Sequence, residues 1–138
     1  MILTIGYEAT TPAALIEALR GAGVQTLVDV RALANSRKPG FAKRALSEAL
    51  TGAGITYVHE KLLGTPAEGR AAVRAGRPAE MRRIFGRHMQ GAEQIDALAK
   101  LGARARTERV CLLCLEADPA QCHRTLVAEA LGLPIRHL

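Results

Sequence analysis

Tryptophan is absent from this sequence, and aromatic residues make up only 3% of its 138 residues. A core must therefore be built from leucine, valine, isoleucine and alanine. No apolar run approaches the roughly 20 residues that a membrane-spanning helix needs. The chain also lacks a leading apolar segment of the signal-peptide kind. These absences predict a globular protein that makes no contact with a membrane.

Cysteine is scarce, with three residues, an odd number that does not suit a framework of disulfides. We therefore expect free thiols in a reducing compartment, which predicts a cytoplasmic protein. Apolar residues account for 49% of the chain, which excludes a disordered protein. The length predicts a single domain, residues 1–138, with a core of its own.

Acidic residues are outnumbered, 13 against 19 basic ones, and the net charge is +6. Fifteen of the basic residues are arginines, whose planar guanidinium matches the oxygens of phosphate. This balance favours an anionic small molecule or a nucleic acid as partner. The alternative is an arginine-rich composition without a function. The sequence does not indicate an oligomeric state.

Segments typical of strands and helices alternate along the chain. The pattern predicts an α/β fold, a single-domain three-layer sandwich with a mostly parallel sheet of four or five strands and helices on both faces. Strands are predicted at residues 2–5, 26–30, 55–58, 109–115 and 134–138, and helices at 42–50, 78–88 and 93–101, after Thr11 and after Asp118. Residues 60–77, rich in glycine and proline, are predicted to be largely loop. In the helix 93–101 we expect Ile95, Leu98 and Leu101 to face inward.

Polar side chains gather where three predicted strands end. Asp29, His59 and Cys114 lie at carboxyl ends, which in a parallel sheet meet along one edge and form a shared cleft. A carboxylate within an apolar strand is costly unless it is paired, so we expect Arg31 to pair with Asp29. Asp29 then either ties down a loop or orients Arg31 toward a substrate anion. His59 is a candidate acid or base.

A polar loop at residues 35–41 follows Arg31. Its Ser36 hydroxyl and Arg37 guanidinium predict a loop that binds phosphate or carboxylate. A solvated turn is the alternative interpretation.

The segment 114–124 carries the densest set of reactive side chains. Cys122 is predicted in the first turn of a helix, where the helix dipole would lower the pKa of its thiol by at most about one unit. Cys122 or Cys114 is thus the expected nucleophile, with His59, His123 or Glu116 in proton transfer. A structural cysteine beneath the helix is the alternative for Cys122.

The cysteine spacing does not favour a metal site. Cys111 and Cys114 are three apart on a strand, so they point to opposite faces, whereas zinc knuckles place such a pair in a turn. Cys111 is expected to be a core residue. We therefore predict no metal and no cofactor, with a zinc site formed by Cys114, Cys122, His123 and His59 as the alternative.

Arginines recur through the segment 70–87 at helical spacing. A nucleic-acid backbone could bind this surface. The alternative is a solvated face with acidic neighbours, and the absence of interleaved aromatics disfavours stacking on single strands. The arginines concerned are Arg70, Arg74, Arg77, Arg83 and Arg87.

Several motifs together resemble the prokaryotic domain-of-unknown-function family 488 (DUF488), over nearly the full length. They are Thr4-Ile5-Gly6-Tyr7-Glu8, Val28-Asp29-Val30-Arg31, Ser36-Arg37-Lys38-Pro39-Gly40-Phe41, Leu63-Gly64 and Cys114-x-Glu116-x-x-Pro119-x-x-Cys122-His123-Arg124. The resemblance implies signature positions at Asp29, Arg31, Ser36, Arg37, Glu116, Cys122, His123 and Arg124, but no settled activity. A weaker similarity to rhodanese-like domains rests on the Asp-Val-Arg strand end. The stretch 116–121 disfavours the sulfur transfer that it implies, because it lacks glycine and carries two carboxylates.

Two functions from different classes follow from these observations. The first is a small cytosolic enzyme in which Arg31, Arg37 and Arg124 bind an anionic, phosphate-bearing substrate such as a nucleotide or nucleic acid. The second is a non-catalytic nucleic-acid-binding or adaptor module, in which the Cys-His-Arg cluster is structural.

Overall fold

The computed structural model describes residues 1–138 and contains five strands and six α-helices. In chain order they are β1 (Ile2–Gly6), α1 (Pro12–Gly21), β2 (Thr26–Asp29), α2 (Lys43–Gly52), β3 (Thr56–His59), α3 (Ala67–Arg74), α4 (Pro78–His88), α5 (Ala92–Thr107), β4 (Val110–Cys114), α6 (His123–Ala130) and β5 (Ile135–His137). Short 3-10 helices lie at Lys61–Leu63 and Pro119–Gln121.

The five strands form one sheet in the order β3-β2-β4-β1-β5, and every neighbouring pair is parallel. In the register, Asp29 of β2 lies beside His59 of β3 on one side and Leu113 of β4 on the other. The α/β fold with a parallel sheet is therefore confirmed. The carboxyl ends of β2, β3 and β4, where Asp29, His59 and Cys114 lie, are at the same edge, as predicted.

Helices cover both faces of the sheet. One core contains the inner faces of α1 and α2, packed on strand residues such as Leu27 and Leu113. The other contains residues of α3, α4, α5 and α6, packed on strand residues such as Val28 and Leu112. Alternating side chains of β4 enter opposite cores, so Cys111 and Cys114 are separated by the sheet. This confirms that they point to opposite faces.

The prediction of loop for residues 60–77 is wrong, because this segment contains a 3-10 helix and α3. Its prolines and glycines delimit the helix instead of preventing it. Pro66 is the N-cap of α3, and Gly76, with φ +73°, follows the helix in a conformation that suits glycine. Gly69 lies within α3 because a Cβ there would approach Thr65 Cγ2 to 2.4 Å.

Two further helical predictions are corrected. In α5 the buried residues are Ala97, Leu101 and Ala105, whereas Ile95 is 57% exposed and does not face inward. The helix expected after Asp118 is divided into a 3-10 turn and α6, because Cys122 has extended φ and ψ angles of −122° and 139°. No helix in the protein combines the length and the apolar character that crossing a lipid bilayer requires.

Candidate active site

The loops that follow β2 and β4 lead to helices on opposite faces of the sheet, and such a divergence opens a crevice at the strand ends. A cavity of about 350 Å³ occupies this place, and we call it the site cavity. Three cations and three groups capable of covalent or proton-transfer chemistry are among its lining residues: Arg31, Arg70, Arg74, Cys114, Glu116 and His123.

Cys114 and His123 form a thiol–imidazole pair at the base of the site cavity. Cys114 ends β4 and His123 begins α6, and the distance from Sγ to Nδ1 is 3.6 Å. His123 Nε2 lies 2.7 Å from the carbonyl oxygen of Val30. Because a carbonyl oxygen only accepts hydrogen bonds, Nε2 carries the ring proton of a neutral imidazole. The Nδ1 lone pair therefore faces the thiol and can accept its proton.

The ring of His123 is held by packing as well as by this hydrogen bond. Phe85 of α4 lies against it, with ring centroids 5.3 Å apart. His123 is buried, although it borders the site cavity. An imidazole fixed at one nitrogen and packed against an aromatic ring presents its other nitrogen in a defined direction, as a general base requires.

Cys122 differs from the prediction made for it. It is the N-cap of α6, it is buried, and it borders a second cavity of about 370 Å³ instead of the site cavity. Burial raises the pKa of its thiol, and the interaction with Cys114 raises it further. The expectation of a lowered pKa is therefore wrong, because removal from water outweighs the helix dipole. Burial also raises the pKa of the Cys111 thiol, which lies in the opposite core.

Asp29 and Arg31 form the predicted ion pair, which is almost completely buried. Arg31 Nε donates to Asp29 Oδ1 at 2.9 Å and Nη2 donates to Oδ2 at 2.7 Å. The backbone N–H of Arg31 also donates to Oδ1. Tyr57 of β3 donates its hydroxyl to Oδ2. Asp29 is thus surrounded by hydrogen-bond donors and does not border the site cavity. Its role is to hold Arg31, which does border the cavity, in position.

The same network shifts the pKa values of its members. Burial opposes the charge on Arg31, but its hydrogen bond and Coulomb attraction to Asp29 dominate and raise its pKa. Burial also raises the pKa of Tyr57, and the neighbouring carboxylate of Asp29 raises it further. Arg31 therefore keeps its charge, and the phenol of Tyr57 stays neutral, to higher pH than either group would alone.

Tyr57 makes stability dependent on pH at the alkaline end. The unfolded phenol ionises near its ordinary pKa of 10.0, whereas the folded phenol keeps its proton to higher pH. The contribution of this raised pKa to the free energy of unfolding is therefore complete below pH 10 and is lost as the pH rises above 10. We expect the difference in unfolding free energy between wild type and Tyr57→Phe to shrink from pH 8 to pH 10.5 in urea denaturation. A constant difference would contradict the shifted pKa.

Arg31 has most of its hydrogen-bonding capacity occupied by the protein. Its Nη1 donates to the carbonyl oxygen of Phe41 at 2.7 Å and to the hydroxyl of Tyr7 at 3.3 Å. The guanidinium also lies 5.1 Å from the centroid of the Tyr7 ring, which stacks on Phe41. Arg31 therefore contributes a fixed positive charge to the wall of the cavity and ties the loops after β1 and β2 together.

Besides Asp29, Cys122 and Arg124, three further residues expected at the site do not line the cavity. The Nε2 of His59 lies 2.7 Å from the backbone oxygen of Arg31 and thus supports the loop after β2. Ser36 accepts a hydrogen bond from the backbone N–H of Lys38. Arg37 is exposed and does not border the cavity. Within this loop it is Asn35 that borders the cavity.

Arg124 is 1% exposed, so it does not meet a ligand in the cavity directly. Its Nη1 donates to the backbone oxygen of Glu116 at 2.5 Å, and its Nε has no hydrogen-bond partner. Arg124 therefore fixes the loop that carries Glu116. Of residues 122–124, only His123 borders the site cavity.

The arginines of residues 70–87 divide into two groups. Arg70 and Arg74 of α3 border the site cavity, and Arg70 also donates to the carbonyl oxygen of Thr65. Arg77 and Arg83 lie near Glu80 in exposed ion pairs, and Arg87 is exposed in the last turn of α4. Two of the cations assigned to a nucleic-acid surface thus belong to the same cavity as Cys114.

Sequence reasoning missed the contribution of the loop after β1. Tyr7 borders the cavity, and Lys38 Nζ donates to the backbone oxygens of Tyr7 and Glu8. The signal was present, because Tyr7 follows the carboxyl end of β1 just as Arg31 follows that of β2. Gln121 and Thr65 also border the cavity, and no local pattern marked them.

One group of side chains could hold a metal ion. The sulfurs of Cys114 and Cys122 and a ring nitrogen of His123 all lie within 4.8 Å of one another. His59, the fourth member of the zinc alternative, is not part of this group. Two thiols and an imidazole are ligands typical of zinc.

Comparison with known proteins identifies a family and no activity. A family model described as a domain of unknown function, DUF488, matches residues 11–131. Neither a curated protein nor a solved structure matches the chain. The matched span contains every lining residue named above except Tyr7. Because the match covers nearly the whole chain, the protein belongs to the DUF488 family.

Proposed function

We propose that this protein is an enzyme that binds a small anionic, phosphate-bearing substrate in the site cavity and attacks it with the Cys114 thiolate. The observation that carries the proposal is the Cys114–His123 pair, in which Sγ lies 3.6 Å from Nδ1. Both residues border a cavity that three arginines also line. A nucleophile beside a base, and a base oriented by a third group, is the arrangement of nucleophilic catalysis.

The proposed chemistry begins with proton transfer. His123 Nδ1 takes the proton of Cys114 Sγ, and the carbonyl oxygen of Val30 stabilises the resulting imidazolium through Nε2–H. The thiolate then attacks an electrophilic carbon or phosphorus of the substrate, and the leaving group receives the proton from His123. Water releases the covalent intermediate in a second step, in which Glu116 is the candidate for accepting a proton from water.

Positive charge in the cavity supports an anionic substrate. The charge of Arg31 is balanced by Asp29, whereas Arg70 and Arg74 form no ion pair in the structure. Arg70 is half-buried and Arg74 is exposed, so they present cations on one wall of the cavity. Guanidinium groups bind phosphate oxygens in a bidentate way.

Apolar side chains favour a substrate with an organic portion over inorganic phosphate alone. Leu33 and Leu115 are exposed large apolar residues, and both border the cavity. Large exposed apolar side chains beside convergent polar groups are typical of ligand sites. Val73 of α3 adds to this surface.

Alkylation of the three cysteines tests the nucleophile. With a chelator present, we expect iodoacetamide to modify Cys114 much faster than Cys111, because Cys114 borders the cavity and Cys111 is buried in the opposite core. Mass spectrometry of the digested protein assigns the modified thiol. The proposal is wrong if Cys114 is no more reactive than Cys111 in the folded protein.

A charged reagent tests the preference for anions. Iodoacetate carries a carboxylate, so its rate relative to neutral iodoacetamide should be higher at Cys114 than at a free thiol. A charge pair contributes about 1 kcal/mol at 4 Å in water, so Arg74→Gln should lower this relative rate by about fivefold. Arg87→Gln, on an exposed side chain outside the cavity, is the matched control and should leave it unchanged.

The non-catalytic alternative predicts a different set of results. In that case Cys114 is inert, added inorganic phosphate does not protect it, and Arg83→Gln weakens salt-sensitive binding of RNA or DNA. Protection of Cys114 by phosphate, lost in Arg74→Gln and kept in Arg87→Gln, would support the enzyme instead.

A further inference from the structure

We infer that Cys114, Cys122 and His123 form a binding site for one zinc ion, and that occupancy of this site blocks the Cys114 nucleophile. The inference uses two side chains of the proposed active site, but metal binding does not depend on the proposed function. It needs Cys122, which the proposed chemistry does not use.

The distances among the three side chains fit tetrahedral coordination. Zinc–sulfur bonds of about 2.3 Å and zinc–nitrogen bonds of about 2.0 Å place a sulfur and a nitrogen of one tetrahedron about 3.5 Å apart. The sulfurs of Cys114 and Cys122 lie 3.6 Å and 4.0 Å from His123 Nδ1. All three ligand atoms lie within 4.8 Å of one another, so only small adjustments are needed to place an ion between them.

The hydrogen bond of His123 is the one that a metal-ligating histidine needs. Its Nε2–H donates to the carbonyl oxygen of Val30, which leaves the Nδ1 lone pair directed at the two sulfurs. Ligating histidines usually donate their second nitrogen to a carbonyl or carboxylate in this way, which fixes the tautomer and the ring orientation.

Charge balance also favours a divalent ion at this place. Binding of Zn²⁺ forms two zinc–sulfur bonds and one zinc–nitrogen bond, and releases one proton from each thiol to solvent. The product has no net charge, which lowers the cost of burying an ion among residues that are themselves buried. Three protein ligands leave a fourth position open, and Cys114 and His123 border the site cavity, from which water can occupy it.

Metal and substrate chemistry exclude each other in this arrangement. A zinc ion engages the Nδ1 lone pair that would take the thiol proton, and it holds the sulfur that would attack. Zinc binding should therefore suppress alkylation of Cys114, and a chelator should restore it.

Cobalt(II) provides a direct test in the full-length, reduced protein. One equivalent of Co²⁺ should give the absorption bands of a tetrahedral site with thiolate ligands, and an equivalent of Zn²⁺ should abolish them. Cys122→Ser should weaken metal binding by more than about tenfold, since loss of even an outer-shell partner costs that much. Cys111→Ser is the matched control, because Cys111 lies in the opposite core, and should bind cobalt like wild type.

The outcomes separate this inference from the proposed function. Absence of thiolate bands in the wild-type protein, or bands that survive unchanged in Cys122→Ser, would overturn the zinc site. Failure of Cys114 to react in metal-free protein would overturn the nucleophile and leave the zinc site standing. Circular dichroism of both serine variants checks that they are folded. The cobalt absorption spectrum of the wild-type protein tests the zinc site without any variant.

Discussion

Replacement of Asp29 by asparagine should lower the free energy of unfolding by about 3–5 kcal/mol, the range found when one partner of a buried ion pair is removed. Asp29 is fully buried and accepts hydrogen bonds from Arg31 and Tyr57. The substitution leaves the guanidinium of Arg31 in the interior without its counter-charge, and an amide NH₂ then faces groups that themselves donate. Urea denaturation at pH 7 measures the change.

A matched control lies on the protein surface. Arg44 and Glu48 of α2 form an ion pair one helical turn apart, and both side chains are largely exposed. Glu48→Gln should therefore cost no more than about 0.5 kcal/mol. If Asp29→Asn costs as little as this control, the charge of Arg31 is screened by water and the pair does not organise the site.

A double replacement separates the cost of a broken pair from the value of an intact one. Asp29→Leu combined with Arg31→Met removes both charges, and apolar replacements of buried pairs are often close to neutral. The double variant should be more stable than Asp29→Asn. Because the two opposite charges are removed together, it should change the preference of Cys114 for iodoacetate less than Arg74→Gln does.

Gly6→Ala should be the second severe substitution. A Cβ at position 6 would lie 1.9 Å from the carbonyl oxygen of Glu116 and 2.6 Å from its carbon, both of which are backbone atoms. The same oxygen accepts the hydrogen bond of Arg124 Nη1. Displacing the Glu116 peptide therefore weakens the contact of a buried guanidinium whose Nε already lacks a partner.

The expected cost of Gly6→Ala combines two contributions. Overpacking costs about 1–3 kcal/mol, and a weakened hydrogen bond to a charged group costs about 1.5–3 kcal/mol more. Gly86→Ala, within α4 and with open space around the new Cβ, is the matched control and should be stabilising by about 0.5–1 kcal/mol. Equal stability of Gly6→Ala and wild type in thermal unfolding would contradict this prediction and would show that the Glu116 backbone can move aside at little cost.

The sequence predicted those features of the fold that depend on local patterns. Apolar runs marked the strands, and polar residues at their ends, such as Arg31 and Cys114, marked the edge at which the cavity lies. Periodicity was less reliable on the outer helices. Ile95 was placed inside α5, although the small residues Ala97 and Ala105 make the contact with the core. Alanine is only weakly hydrophobic and occurs at both buried and exposed positions of helices. Its presence in the sequence therefore did not indicate which face of α5 packs on the core.

The parts of the site that the sequence did not predict depend on distant contacts. The hydrogen bond of Tyr57 to Asp29 joins positions 28 residues apart, and it follows from the register between β2 and β3. Arg70 and Arg74 reach the cavity only because α3 packs over the strand ends. Burial of Cys122 raises the pKa of its thiol, opposite to the shift expected from the helix dipole. Burial results from tertiary packing, which cannot be judged from the position of a residue in a predicted helix.

The position of β4 at the centre of the sheet determines when the protein can fold. β1 pairs only with β4 and β5, so during synthesis this strand has no neighbour in the sheet until residues 110–114 have emerged. Until then its apolar residues Ile2, Leu3 and Ile5 remain an open edge on the nascent chain, available to chaperones or to aggregation. Closure of the sheet is therefore a late event that joins distant segments, and it is expected to be slow compared with formation of the helices.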